Sequence, residues 1–240
     1  MTEQGKSFRR GPRRASTEEE VVEAALGLLD EGGVSAASIR GIAARIGVAP
    51  NAVYTYFPDK AAVIKAIVEH LLGQVDHAVF ADPDVPWRRR IELLALELRE
   101  SLTAHPGAVG LMIGGPMDGP RALALNERLM EVLSGAGFSP TDAAQASYLL
   151  IVYVFGSIAL DVAELGDVRR APPEAERIAA RYAGFSSIPA ETYPLSAAAA
   201  HVMARYVSTD QYLWGLRRVL DGLGHSPTRA VASAMPAPVG

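Results

Sequence analysis

Apolar and polar residues alternate with a helical period along almost the whole chain, so the elements predicted are helices. Val22, Ala25, Leu26 and Leu29 share one face of a first helix, with Thr17 and Glu20 spaced as a capping box and Gly32 and Gly33 ending it. Ile39, Ile42, Ala43 and Ile46 then stand at i, i+3, i+4 and i+7. Ser38 is the expected N-cap, and Gly47 can take the left-handed conformation that closes a helix. Pro50 suits the first position of the next helix, where Val53 and Phe57 turn inward and Asn51, Ala52, Thr55 and Tyr56 turn outward. The turn between the two helices is about three residues long, the length a helix-turn-helix requires.

Asp59 caps a further helix, expected over residues 60 to 77, whose stripe is Val63, Ile64, Ile67, Val68, Leu71 and Leu72. After the break at DPDVPW, helices are predicted over 88 to 104, on to 113, over 121 to 133 and over 140 to 164. Another falls around 174 to 182 inside a Pro-rich connection, and a last long one runs over 195 to 223. The fold class is therefore all-α, with an N-terminal three-helix DNA-binding unit and a larger helical domain. The expected divisions are a basic arm at 1 to 16, the helix-turn-helix domain at 17 to 62, the helical domain at 63 to 224 and a flexible tail at 225 to 240.

A helix presented to a major groove carries small or hydrogen-bonding residues outward, since bulky apolar groups would be stranded at a polar surface. Asn51 can pair with adenine, a Tyr hydroxyl can reach a phosphate, and Lys60 can address the sugar-phosphate backbone. The same spacing also fits an ordinary helical hairpin with surface aromatics. Over residues 17 to 72, however, SIRGIAARIGV and VYTYFPDKAAVI resemble the signature of the tetracycline-repressor (TetR) family of bacterial transcriptional regulators. A weaker resemblance continues to about residue 223, through AGFSPTDAAQASYLLIVYVFGSIALDVAE and YLWGLRRVLDGL, which are similar to the last long helices of the tetracycline-repressor subgroup.

The resemblance implies a repressor that binds double-stranded operator DNA and is released by a small, mostly apolar effector. By match to the family motif, Tyr54, Tyr56 and Lys60 grip phosphates, Arg40, Asn51, Ala52 and Thr55 approach base edges, and Ser38 and Pro50 complete the interface. It also implies a homodimer, because the corresponding family helices pair with their twins in a four-helix bundle. The uncharged faces here agree, with Leu149, Val152, Tyr153 and Gly156 on one long helix and Ala198, Val202, Tyr206 and Leu213 on the other. For an effector cavity the candidate lining residues are Leu94, Leu98, Met112, Met117, Met130, Tyr148 and Ile151, although such stripes also serve as plain core. Ungapped alignment with the tetracycline-binding member places Met112 where that member has a histidine ligating the drug-bound magnesium. A thioether is a poor magnesium ligand, so a magnesium-tetracycline effector is not expected, and no cofactor is implied.

Composition changes this picture in two places. The net charge of −4 is unlike a DNA-binding protein until it is divided: residues 1 to 65 carry nine Lys/Arg against eight Asp/Glu, and the remainder 14 against 19. Lys6, Arg9, Arg10, Arg13 and Arg14 lie in an aperiodic arm that could meet phosphates or a minor groove, or be only a solvated tail. The uncharged run from 143 to 160 is 18 residues long, at the lower limit for a membrane span, yet holds Gln145, Ser147, Gly156 and Ser157, so a core or interface helix is expected and no membrane partner.

No cysteine occurs, which excludes disulfides and a Cys nucleophile and fits a reducing cytoplasm. The N-terminal segment has no apolar core, so no signal peptide is expected. His70 and His77 lie seven apart on one helical face with Asp76 adjoining the second, but no third ligand is evident at a short spacing, so no metal site is expected. No spacing singles out a Ser-His-Asp or paired-carboxylate constellation, so an enzyme is not expected. The rival is a helical adaptor or ligand-binding module without sequence-specific DNA binding, which would not need Tyr54, Tyr56 and Lys60 beside Arg40.

Overall fold

The computed structural model describes residues 17–76, 78, 82, 84–165 and 172–224. The basic arm, His77 and the C-terminal tail, on which three expectations rest, lie outside the described residues. Every regular element among them is helical.

Helix α1 (Glu18–Ala36) starts at the expected capping box: Glu20 N–H donates to Thr17 Oγ1 at 3.2 Å and Thr17 N–H to Glu20 Oε2 at 3.1 Å. Its regular part ends at the expected glycines, and only a short turn continues beyond the kink. Gly32 and Gly33 leave helical geometry, Gly33 at φ 67°, and one more turn follows to Ala36. Helix α2 (Ile39–Arg45) is capped by Ser38, whose Oγ accepts from Gly41 N–H at 3.0 Å. Gly47 sits at φ 71°, and α3 (Pro50–Tyr54) follows with Pro50 at its first position.

Helix α4 (Lys60–Gly73) is capped by Asp59 and buries Val63, Ile67, Val68, Leu71 and Leu72. It covers the whole stripe but is shorter than the expected span of 60 to 77. Beyond Gly73 the chain turns, and Asp76 N–H donates to Glu97 on the next helix at 3.1 Å, a contact outside any helical ladder. The second part contains α5 (Trp87–Ala104), a 3₁₀ turn (Pro106–Ala108), α6 (Val109–Gly114), α7 (Pro120–Gly135) and α8 (Pro140–Leu165). Then come α9 (Glu174–Phe185), α10 (Pro194–Ala198), α11 (Ala200–Met203) and α12 (Thr209–Gly224). Helices α5, α6, α7 and α12 all pack on α8.

The long last helix expected over 195 to 223 is broken in three. Ser208 Oγ donates to Arg205 C=O at 2.8 Å and accepts from Gln211 N–H at 3.2 Å, so a hydroxyl closes one segment and opens the next. Glu174 reinforces the break by accepting from both the backbone N–H and the hydroxyl of Thr209, each at 3.0 Å.

Along their lengths α5 and α12 are joined by polar contacts. Arg88 pairs with Asp221 at 2.8 Å, Glu92 with Arg217 at 2.9 Å, and Arg99 donates to Thr209 Oγ1 at 2.9 Å. Tyr212 O–H donates to the Ala95 carbonyl at 2.8 Å between them. The positions 88, 92, 95 and 99 recur every three or four residues, so they form one stripe of α5.

Candidate nucleic-acid interface and ligand cavity

Ile42, Ala43, Val53 and Phe57 are buried, and this fixes the rotation of α2 and α3 about their axes. Arg40, Pro50, Asn51, Tyr54 and Thr55 are consequently exposed together, with Tyr54 at 50%. Two residues expected to face outward do so only in part: Ala52 is half-buried, and Tyr56 packs its ring against the core. The reason is geometric, since Tyr56 adjoins the anchor Phe57 in the turn after α3 rather than lying on its open face. Ser38 is exposed, its hydroxyl already occupied as a cap.

Two cations border this face. Lys60 Nζ donates to the Val34 carbonyl at 3.3 Å, which draws the start of α4 toward the end of α1. Arg45 is gripped by both oxygens of Glu31 at 2.6 and 3.0 Å, and that hydrogen bonding raises its pKa further. Its charge is thereby matched, whereas Arg40 has no ion-pair partner among the described residues.

Two groups of contacts tie this unit to the helices behind it. Asp30 of α1 lies 3.0 Å from His105 Nδ1 and accepts from Gly107 N–H at 3.1 Å. A Cβ at Gly107 would collide with the Leu29 carbonyl, so the turn and α1 meet backbone to backbone. Glu69 of α4 caps the first turn of α7 by accepting from the N–H groups of Arg121 and Ala122, and Lys65 pairs with Asp118 at 2.8 Å. His70, one of the weighed metal candidates, has Nε2 at 2.9 Å from Gln74 Nε2.

Between α5, α7 and α8 lies a cavity of about 200 Å³. Leu94, Leu98, Met117 and Ile151 of the predicted lining reach it, together with Leu125, Leu129 and Phe155. Met112, Met130 and Tyr148 do not. Met112 is buried in the packing of α6 elsewhere, and Met130 turns its sulfur to within 3.6 Å of Asn126 Nδ2. Tyr148 is 69% exposed on α8, outside the lining. Sequence reasoning missed Asn126, the polar side chain in this lining, although it stands four residues after Ala122 and three before Leu129 on the apolar stripe of α7.

Exposed residues on α8 include Tyr148, Val152, Gly156 and Leu160, spaced by four, with Leu149 beside them and Trp214 of α12 at 58% exposure. Tyr153 departs from the expected uncharged outer face. Its phenol donates to the Tyr212 carbonyl at 2.7 Å and its ring stacks on Tyr212, 6.0 Å between centroids. By length and composition Pro140–Leu165 is the one described helix long and apolar enough to cross a membrane.

The buried carboxylates Glu92 and Asp161 of the helical domain are each paired with an arginine. Arg99 pairs with buried Asp161 at 2.6 Å and with Glu174 at 3.4 Å. The Arg217 hydrogen bond, opposed by burial and aided by Arg89, holds the Glu92 carboxyl below its usual range. Burial pushes the Tyr212 phenol up.

Comparison with known proteins agrees with this arrangement at both ends. Residues 21–67 match the family of bacterial regulatory proteins, tetR family, and residues 81–226 match the tetracyclin repressor-like C-terminal domain. An HTH-type transcriptional regulator of Saccharopolyspora erythraea is 33% identical over 145 residues, 60% of this chain and 61% of that relative, so the match spans less than two thirds of its length. A possible TetR family transcriptional regulator from Streptomyces coelicolor A3(2), also 33% identical, superposes with a TM-score of 0.70 over 86% of this chain and 98% of its own. The Streptomyces coelicolor TetR family protein ActR, in complex with actinorhodin, shares the fold at 21% identity, with a TM-score of 0.74 over 90% of this chain and 98% of its own. Because the C-terminal match alone covers more than half of the residues and the N-terminal match falls on the helix-turn-helix, the chain belongs to the TetR family of bacterial regulatory proteins.

Proposed function

We propose that the protein is a cytoplasmic, homodimeric transcriptional repressor that leaves its operator when a small molecule enters the cavity between α5, α7 and α8. One observation carries the DNA-binding part: Arg40, Asn51, Tyr54 and Thr55 are exposed on a single face whose rotation is fixed by buried anchors on the other side. In this reading Asn51 and Thr55 address base edges, while Tyr54 and Lys60 hold phosphates. Residues 17 to 62 act as the DNA reader and 63 to 224 as the effector and dimerisation domain.

Dimerisation is supported by the exposed stripe of α8 and by Trp214, and a two-fold dimer spaces two recognition helices by one DNA turn. The effector reading is supported by the cavity and by its wall α7, whose first turn is capped by Glu69 of α4, the helix that begins at the DNA face. ActR, a fold neighbour, holds actinorhodin. Effector and operator then oppose each other by a shared coupling factor, typically about 1–3 kcal/mol.

The test is a mobility shift with DNA from the region upstream of the protein's own gene. A retained band that survives random competitor DNA is expected, and Tyr54→Ala should weaken it. Equal competition by random DNA at every salt concentration would remove sequence-specific regulation from the proposal.

A further inference from the structure

The chemistry of the cavity wall restricts what can occupy it. Leu94, Leu98, Leu129, Ile151 and Phe155 present hydrocarbon, and none of the lining residues is ionisable. A charged group placed there would lose its water and gain no counter-ion. Two charges of α5 beside the lining residues are already committed: Glu92 and Arg99 lie on the stripe that faces α12, paired with Arg217 and Asp161. At about 200 Å³ the space is also below the ~300–1,000 Å³ common for drug-sized ligands.

Asn126 supplies the single polar handle. Among the described residues its Nδ2 donates only to the thioether of Met130, at 3.6 Å, and a thioether is a weak acceptor. The amide oxygen and the second amide hydrogen are thus left to meet an occupant.

Resting on the reading of this cavity as the effector site, we infer that the effector is a small uncharged molecule with a hydrocarbon body and one hydroxyl or carbonyl group, which bonds to the Asn126 amide. Carboxylates, amines and metal chelates are rejected, since each would carry a charge into an unpaired site.

Calorimetric titration of the full-length protein at neutral pH with n-octanol, octanoate and octylammonium tests the charge rule at nearly constant shape. Binding of n-octanol at least tenfold tighter than either ion is expected. Asn126→Leu, which keeps the branched shape and removes the polar atoms, should weaken n-octanol tenfold and leave ethylbenzene within threefold. As a second variant, Asn126→Asp should bring octylammonium to within reach of n-octanol and weaken octanoate further. An ion binding as well as n-octanol, n-octanol affinity unchanged in Asn126→Leu, or no n-octanol binding up to its solubility limit overturns the inference. The underlying reading has a separate control in Leu129→Trp, which fills the cavity. If ethylbenzene and n-octanol bind that variant unchanged, they bind elsewhere, and the effector-site reading itself fails.

Discussion

Glu69, midway along α4, and Arg121, at the first turn of α7, are joined by a carboxylate accepting a backbone N–H at 2.7 Å. The same carboxylate takes the next N–H, of Ala122, at 3.2 Å, and a Cβ at Gly119 would collide with it. An acidic group at a helix N-terminus is favourable both as hydrogen-bond acceptor and against the helix dipole. Glu69→Ala should therefore cost about 1 kcal/mol, the usual value of a lost cap, and speed amide exchange in the first turn of α7. Unchanged exchange there would show that the cap contributes nothing.

Gly107→Ala should destabilise the protein by about 1–3 kcal/mol, since the new methyl must displace the Leu29 backbone rather than a flexible side chain. Chemical denaturation monitored by circular dichroism checks it. A loss below 0.5 kcal/mol, roughly the scale of an ordinary surface change, would mean that α1 and the turn separate freely.

On DNA, Lys60→Ala should weaken cognate and random sequences alike and lower the salt slope by roughly one, whereas Asn51→Ala should mainly relax sequence preference. Fluorescence anisotropy across a salt series separates the two. The reverse pattern would mean that α3 meets the groove in a different rotation.

The acid limb of stability should carry the signature of Glu92. Its folded pKa lies below the ordinary 4.5, so its pairing with Arg217 and Arg89 stabilises the fold above pH 4.5 and loses that contribution as pH falls through the folded value. Glu92→Gln should flatten stability against pH in that window and leave the slope above pH 6 as it was. A variant with the same acid limb as the parent would place the titration elsewhere.

Sedimentation at micromolar concentration should show a dimer of 25.4 kDa chains, and Val152→Asp should weaken it by roughly tenfold or more, about 1.4 kcal/mol per tenfold. A dimer indifferent to Val152→Asp would lie on another surface.

Legibility followed the range of the interactions. Thr17, Ser38 and Asp59 cap their helices through contacts three residues away, and Gly47 closes α2 through its own backbone, so sequence spacing alone revealed these features. Glu69 and Arg121 are 52 residues apart and Asp30 and His105 are 75 apart; neither pair has a local signal. The orientation of Tyr148 failed for a different reason. Helix α8 is apolar nearly all round, and without a polar face its rotation is fixed only by the helices packed on it. Four of the seven expected cavity residues reach the lining, and Tyr148, less than one turn before Ile151, stays outside it and 69% exposed. Ser208 was hidden by an Ala-rich run whose helical pattern continues across it.

The polar stripe between α5 and α12 also decides which side of the cavity can yield. Ion pairs and hydrogen bonds are directional and lose their value when displaced by an ångström, whereas hydrocarbon surfaces slide past one another at little cost. From Arg88 to Arg99 the back of α5 is fastened at four levels by contacts of the first kind, while its cavity face, like the facing surfaces of α7 and α8 apart from Asn126, is hydrocarbon. The cavity therefore has one stiff wall and one compliant wall. An occupant larger than the resting space spends its strain on α7, the wall whose leading turn is held by the helix that begins at the DNA face.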